Sequence, residues 1–363
     1  MDIIHQNKFY KIIQEHSEIY EGCGNMLLIV PLEIQKTSRG RSIRNNFFLR
    51  KAISEFGIQK GVDSVMVLTG TPLEFNEQGY HCSMDVFEPR GQDESKMAGS
   101  WSIMCGNGAR AVVRYWLDHA EKQRNNRKWQ DFLKNMRENP YFQIMTRSGL
   151  RTIEILSSSL FKVRMGVFTS KAKDLEKYVN IKTLDFNHQA NIENVKIPNF
   201  ILDNIKPLLF VERWSIGLTG NYSHRDINGE PHVVMLINDS IIADLSKLRK
   251  IAKAVGPWIT KAKELFPQEI NTNFVVIKEI NKRKKEIGVI ACTYERGLGD
   301  NPSHCVTEAC GTGATVVGAV LFRQMNLDGD YRVKVKMPGG VLIIEKNSHQ
   351  FYYLIGTANR IEH

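Results

Sequence analysis

The chain has 363 residues, 42% of them hydrophobic, enough apolar material for two globular cores and too much for a disordered protein. Its formal charge of +10 raises the case of a polyanionic partner. The densest basic run, Lys282-Arg283-Lys284-Lys285, lies between Glu279 and Glu286 and two apolar segments; it reads as a solvated hairpin turn, and no nucleic-acid partner is expected. The apolar run 26–30 is too short to span a bilayer and follows no basic segment with a small-residue cleavage site, so a cytoplasmic protein without membrane association is expected. The six cysteines lack Cys-x-x-Cys spacing, which predicts neither a zinc site nor a disulfide framework.

In chain order, a short β-branched segment predicts a strand at 64–68. A helix is expected over 107–119, directly after Cys105, and a charged amphipathic one over 129–137. Asn139-Pro140 marks a turn, 143–149 reads as a strand entering another turn, and the crossover between two domains is placed near residue 147. Further strands are expected at 152–156 and 233–237, a helix with an apolar stripe at 246–263, and a strand at 274–277. A helix at 314–325 after Cys310 and a strand at 333–336 complete the series. The helices after the two cysteines carry Val112, Val113, Val316, Val317 and Val320, so each is expected to be buried inside a wrap of strands. The fold class is α+β.

Two stretches nearly repeat each other: Cys105-Gly106-Asn107-Gly108-Ala109 and Cys310-Gly311-Thr312-Gly313-Ala314. Each places a thiol at a helix N-terminus, whose partial positive charge favours the thiolate, and the glycines let backbone N–H groups approach a small anion such as an amino-acid carboxylate. A single motif of this kind reads equally well as a small buried residue that allows tight helix-strand packing. Two matched copies point instead to a base and an acid, which is what inversion at a carbon centre requires, and that chemistry needs no cofactor. The expected partner is a small-molecule amino acid.

The stretches 104–110, Tyr294-Glu295-Arg296-Gly297-Leu298-Gly299 and 308–314 resemble the signatures of the diaminopimelate epimerase family. So do Gly22-Cys23-Gly24-Asn25, Phe56-Gly57-Ile58, Gly61-Val62-Asp63, Gly229-Glu230-Pro231-His232, Asn271-Thr272-Asn273-Phe274 and Met337-Pro338-Gly339-Gly340, in the family's order. The resemblance implies two pseudo-symmetric mixed β-barrel domains, each around a central helix. One comprises 1–146 and carries Cys105, the other comprises 147–346 and carries Cys310, and a C-terminal strand in 347–363 returns to the first. It further implies that Cys105 and Cys310 face each other as acid-base residues, that His232 and Glu295 assist proton movement, and that the protein is a homodimer. By the same resemblance the amides around Gly106, Asn107, Gly311 and Thr312 hold the α-carboxylate, Asn25 and Asn271 contact substrate, and Arg296 grips a distal carboxylate. Taken on residue type alone, His232 reads as a core or turn residue and Glu295-Arg296 as a surface ion pair.

The chain departs from that pattern at the substrate's distal end. Glu230 stands where the family has asparagine, and Glu88 stands at a second such position on a gapped alignment. Carboxylates there disfavour a distal carboxylate and favour an imidazole, ammonium or guanidinium. Two substrates therefore remain open, diaminopimelate and a basic or imidazole amino acid such as histidine, as does a non-catalytic amino-acid-binding protein on the same fold. Extra length before Gly22 and at 92–98, 121–139 and 173–200 reads as surface decoration, and the turn at 300–306 is lengthened.

Overall fold

A computed structural model describes residues 2–32, 46–92, 98–170, 211–223, 226–237, 244–263, 266–298 and 301–361. The chain forms two compact units, 1–163 with 356–363 and 164–355.

The first unit opens with α1 (Asp2–His16), β1 (Glu18–Gly22) and β2 (Asn25–Pro31), followed by α2 (Phe47–Gln59) and β3 (Ser64–Thr69). Asn46 starts α2 by accepting the Leu49 N–H at 3.1 Å. β2 and β3 pair in parallel and are buried on both faces, which is why each reads as an unbroken apolar run. Leu28, Val30, Val65 and Val67 point into a core with Leu49, Ile53 and Phe56 of α2 and Ile13 of α1. β4 (Cys82–Gln92) pairs antiparallel with β3 and with β5 (Ala98–Ser102). The buried helix α3 (Gly106–Lys122) packs against β1, β2 and β3. Its Gly108 is required by contact: a Cβ there would overlap the sulfur of Met66 on β3. After α4 (Arg127–Glu138) come β6 (Tyr141–Thr146) and β7 (Gly149–Ile155), paired antiparallel. The turn at Arg147–Ser148, where the sequence places the crossover, joins these two strands of the first unit. The terminal strand Asn359–Arg360 pairs with β1.

β8 (Leu160–Thr169) passes from the first unit into the second. There it pairs with β9 (Val211–Ser223), which pairs with β10 (Asp226–Ile237). β10 runs parallel to β11 (Asn271–Asn281), which forms a hairpin with β12 (Glu286–Tyr294). The Lys282–Lys285 run is the exposed turn of that hairpin, as its flanking glutamates predict. Helix α5 (Leu245–Thr260) lies on β11 and β12, and its Gly256 faces the Tyr294 ring so closely that a Cβ would come within 2.5 Å of it. α6 (Gly311–Gln324) is buried at every residue from Gly311 to Phe322. β13 (Arg332–Met337), β14 (Gly340–Lys346) and β15 (Phe351–Thr357) follow, and β15 also pairs with β8, so the strands of this unit run around α6 and return to their start. No described helix is long and apolar enough to cross a membrane.

Three further sequence expectations change. Both cysteine-proximal helices begin at the first glycine, three residues earlier than expected at α6 and one earlier at α3, because each cysteine itself caps the helix. Cys23, which by sequence reads like Cys82 and Cys292 as a packing residue in a strand, lies instead in a two-residue turn with φ 53°. The segment 121–139 is more than decoration: α4 buries Trp129, Phe132, Leu133 and Met136, and the Trp129 ring stacks on Trp116 of α3 at 6.0 Å. Of the other insertions, 93–97 and 173–200 lie outside the described residues.

Candidate active site

In the first unit Cys105 is the N-cap of α3, and its sulfur accepts the Gly108 N–H at 3.2 Å. Gly106 and Asn107 form the buried first turn. Asn107 Oδ1 accepts from Arg110 Nη2 at 2.9 Å, which draws a fully buried guanidinium back toward the helix start. Arg110 also donates through Nε to the Thr357 carbonyl at 3.2 Å, and its Nη2 lies 3.7 Å from the Cys23 sulfur. Burial depresses the Arg110 pKa, opposed by the nearby Cys23, Cys105 and Glu21. The turn holding Cys23 packs on the same helix start, since a Cβ on Gly22 would sit 3.5 Å from Asn107; Asn25, which pairs with Gly22, is buried there. Glu88 on β4 accepts the Ser64 hydroxyl at 2.7 Å.

In the second unit Cys310 is the N-cap of α6 and accepts the Gly313 N–H at 3.3 Å, the same arrangement as at Cys105. The thiol is buried, and its pKa stands well above the ordinary value, first through desolvation and then through the adjacent Glu295 carboxylate. Bonds from Thr312 and from the Gly313 amide pull the other way. Glu295 is fixed by the Thr307 hydroxyl at 2.6 Å. Thr312 Oγ1 lies 3.3 Å from the sulfur and 3.2 Å from His232 Nε2, so a hydroxyl links thiol to imidazole. His232 is fully buried, and burial lowers its pKa to about 3. It is therefore neutral at physiological pH.

His232, Asn271 and Asn273 share this corner because β10 and β11 run parallel with His232 opposite Asn271. Asn271 Oδ1 accepts the Arg296 N–H at 2.9 Å. Arg296 is engaged by Glu230 at 2.8 Å and by the carbonyls of Gln268 and Glu269, at 2.8 and 3.3 Å. Both partners of that ion pair are mostly shielded, with side chains 19% and 11% exposed. The second unit thus brings together Cys310, Gly311, Thr312, His232, Glu295, Asn271, Arg296 and Glu230. The first brings together Cys105, Gly106, Asn107 and Asn25, and places Glu88 on Ser64. Sequence reasoning missed Asn273, Thr293, Thr307 and Arg110; the one available signal was that Asn271 and Asn273, two apart on a strand, share a face. Among the described residues no three His, Cys, Asp or Glu side chains form a cluster suited to a metal ion.

Residues 227–361 match the diaminopimelate epimerase family model. The diaminopimelate epimerase of Nostoc punctiforme is 25% identical over 346 residues, covering 94% of this chain and 96% of that protein. The Blochmanniella floridana enzyme of the same name is also 25% identical, over 94% of this chain and 95% of its own. A crystal structure of a probable proline racemase from Agrobacterium radiobacter K84 aligns with TM-score 0.52 at 10% identity, covering 95% of this chain and 90% of that one, a likeness of fold alone. The chain has an α+β fold like that of the probable proline racemase, and its sequence is similar to diaminopimelate epimerases along nearly its whole length.

Proposed function

We propose that the protein is a cofactor-independent amino-acid racemase or epimerase in which Cys105 and Cys310 exchange the α-proton. One thiolate takes the proton as the Cα–H electrons pass into the α-carboxylate. The other thiol then gives its proton to the opposite face of the same carbon, so each turnover interchanges thiolate and thiol. The amides of Gly106, Asn107, Gly311 and Thr312, at two helix N-termini, stabilise the charge that develops on the carboxylate. Glu295 and His232 serve Cys310, the first as acceptor for its proton and the second through Thr312. The observation that carries this reading is the matched capping role of the two thiols, each an N-cap whose sulfur accepts the N–H three residues on. The names of the relatives agree with the reaction class.

At the distal end the Glu230–Arg296 pair favours a substrate with an imidazole or cationic side chain, histidine first, since an arginine already held by a carboxylate and two carbonyls has little left for a substrate carboxylate. The relatives' names favour diaminopimelate, with Asn25, Asn271 and Arg296 retained. Turnover of L-histidine, L-lysine, L-arginine and LL-diaminopimelate in deuterium oxide, followed by α-deuterium incorporation, tests both levels. Exchange with none of them refutes the enzyme and leaves an amino-acid-binding protein. Full activity in Cys105→Ala or Cys310→Ala refutes the two-thiol mechanism. A wild type that prefers diaminopimelate refutes the charge argument, and a Glu88→Asn, Glu230→Asn double variant is expected to shift preference toward diaminopimelate.

A further inference from the structure

The polar chain behind Cys310 has a direction. Asn273 on β11 and Thr293 on β12 are directly opposed across the hairpin. The Asn273 side-chain atom 3.0 Å from the Val233 carbonyl oxygen has to be the amide nitrogen, because an oxygen there would face another oxygen. The Thr293 hydroxyl accordingly donates to Asn273 Oδ1 at 2.8 Å. The second proton of the same nitrogen meets His232 Nδ1 at 3.1 Å, so Nδ1 accepts, and the single proton of the neutral imidazole lies on Nε2.

Nε2 has two polar neighbours, Thr312 Oγ1 at 3.2 Å and Asn271 Nδ2 at 3.4 Å. The Asn271 amide is oriented by the Arg296 N–H on its oxygen, so its nitrogen is a donor and cannot take the imidazole proton. Thr312 takes it. With its oxygen accepting from the imidazole, the Thr312 hydroxyl has its own hydrogen for the Cys310 sulfur, 3.3 Å away.

We propose that Asn273 is a positioning residue that fixes His232 as the Nε2–H tautomer and thereby commits the Thr312 hydroxyl as a hydrogen-bond donor to Cys310. The consequence rests on the reading of Cys310 as an acid-base thiol: a donor is in place whenever the sulfur carries charge. Glu230 and Arg296 are the charged groups that act on the ring, and His232 stays neutral because burial, reinforced by the Arg296 cation, outweighs the Glu230 carboxylate. Gly313 also fits this account, since a Cβ there would lie 2.5 Å from Asn273 Oδ1 and 2.9 Å from Thr293 Oγ1, so the start of α6 rests on the pair that orients the ring.

Ring-nitrogen NMR of the full-length protein carrying labelled histidine tests this, with the His232 signals assigned by their loss in His232→Gln. The expected spectrum shows a pyridine-like Nδ1 and a protonated Nε2, unchanged between about pH 5 and 9. An Nδ1–H tautomer or an imidazolium in that range overturns the proposal, with no variant needed. In Asn273→Asp the carboxylate accepts from Nδ1, and the tautomer is expected to reverse; an unreversed ring overturns Asn273 as the residue that sets it. Thr312→Val should keep the wild-type tautomer while alkylation of Cys310, followed by mass mapping, slows about tenfold relative to Thr312→Ser, one pKa unit of lost thiolate stabilisation. Equal rates in the two variants overturn the hydroxyl link. If the tautomer is as expected but no amino acid exchanges its α-proton, the enzyme reading fails on its own. If racemisation proceeds with an Nδ1–H ring, this proposal fails and that reading stands.

Discussion

Replacing Gly313 with alanine sets two effects against each other in one position. Alanine is the better helix former by about 0.8–1.0 kcal/mol, which favours the variant. The new Cβ would stand 2.5 Å from Asn273 Oδ1, 2.9 Å from Thr293 Oγ1 and 3.2 Å from the Cys310 Cβ. These neighbours are not free to withdraw, since Asn273 is bonded to Thr293, Val233 and His232. Overpacking of this kind costs about 1–3 kcal/mol, and parting Thr293 from Asn273 leaves a buried polar group unsatisfied for about 1–3 kcal/mol more. The clash wins, with a net loss of about 1–5 kcal/mol, and a domain of this size class then melts roughly 2–20 °C lower. Gly288→Ala on β12 is the control, because its Cβ would meet only Glu279 Cβ at an ordinary 3.6 Å and the loss of glycine flexibility favours it by roughly 0.5–1 kcal/mol. Scanning calorimetry of the three proteins decides the matter. A Gly313→Ala melting temperature at or above wild type, or a larger loss in Gly288→Ala, refutes the reasoning.

Trp129→Ala is expected to lower stability by about 3–5 kcal/mol in urea denaturation, because it empties an aromatic cluster with Trp116 and Phe132; an unchanged midpoint would make α4 a detachable addition. His81 lies between Phe75 and Phe142, 4.4 and 4.3 Å away, and burial lowers its pKa to about 4. The unfolded chain binds this proton first, so stability is full above about pH 6.5 and falls by roughly 2–3 kcal/mol as the pH drops toward 4; His81→Asn should flatten that limb, and an identical acid limb counts against it. Iodoacetamide near pH 8 should label half-buried Cys105 ahead of Cys310, whose burial both hides the sulfur and raises its pKa; equal rates on mass mapping refute the difference.

Much of this was legible because the informative residues are local. The matched Cys-Gly-x-Gly stretches announce two helix starts, and the apolar runs at 64–68 and 233–237 announce strands. The helix starts were read late because glycine is a poor helix former, whereas here a Cβ would strike Met66 or Asn273 and a sulfur supplies the cap. The Glu230 carboxylate was visible as a departure from the family pattern, and the structure pairs it with Arg296. The orientation of His232 did not, since it depends on Asn273, Thr293 and Val233 meeting across three strands, and no spacing in the chain encodes that register. Arg110 was hidden for a similar reason: its acceptor, the Thr357 carbonyl, lies far away in sequence.

That last contact bears on how the protein is made. Residues 356–363 belong to the first unit, where Asn359–Arg360 pairs with β1 and Thr357 receives the Arg110 guanidinium. During translation the segment 1–163 emerges early but lacks the strand Asn359–Arg360 and the acceptor for a fully buried cation until residues 357–360 follow. The second unit is closed by β15, made just before that segment, so both units wait on the stretch 351–360 and the first waits much the longer. The nascent first half meanwhile exposes the edge of β1, and it is at that stage that a chaperone would have most to protect.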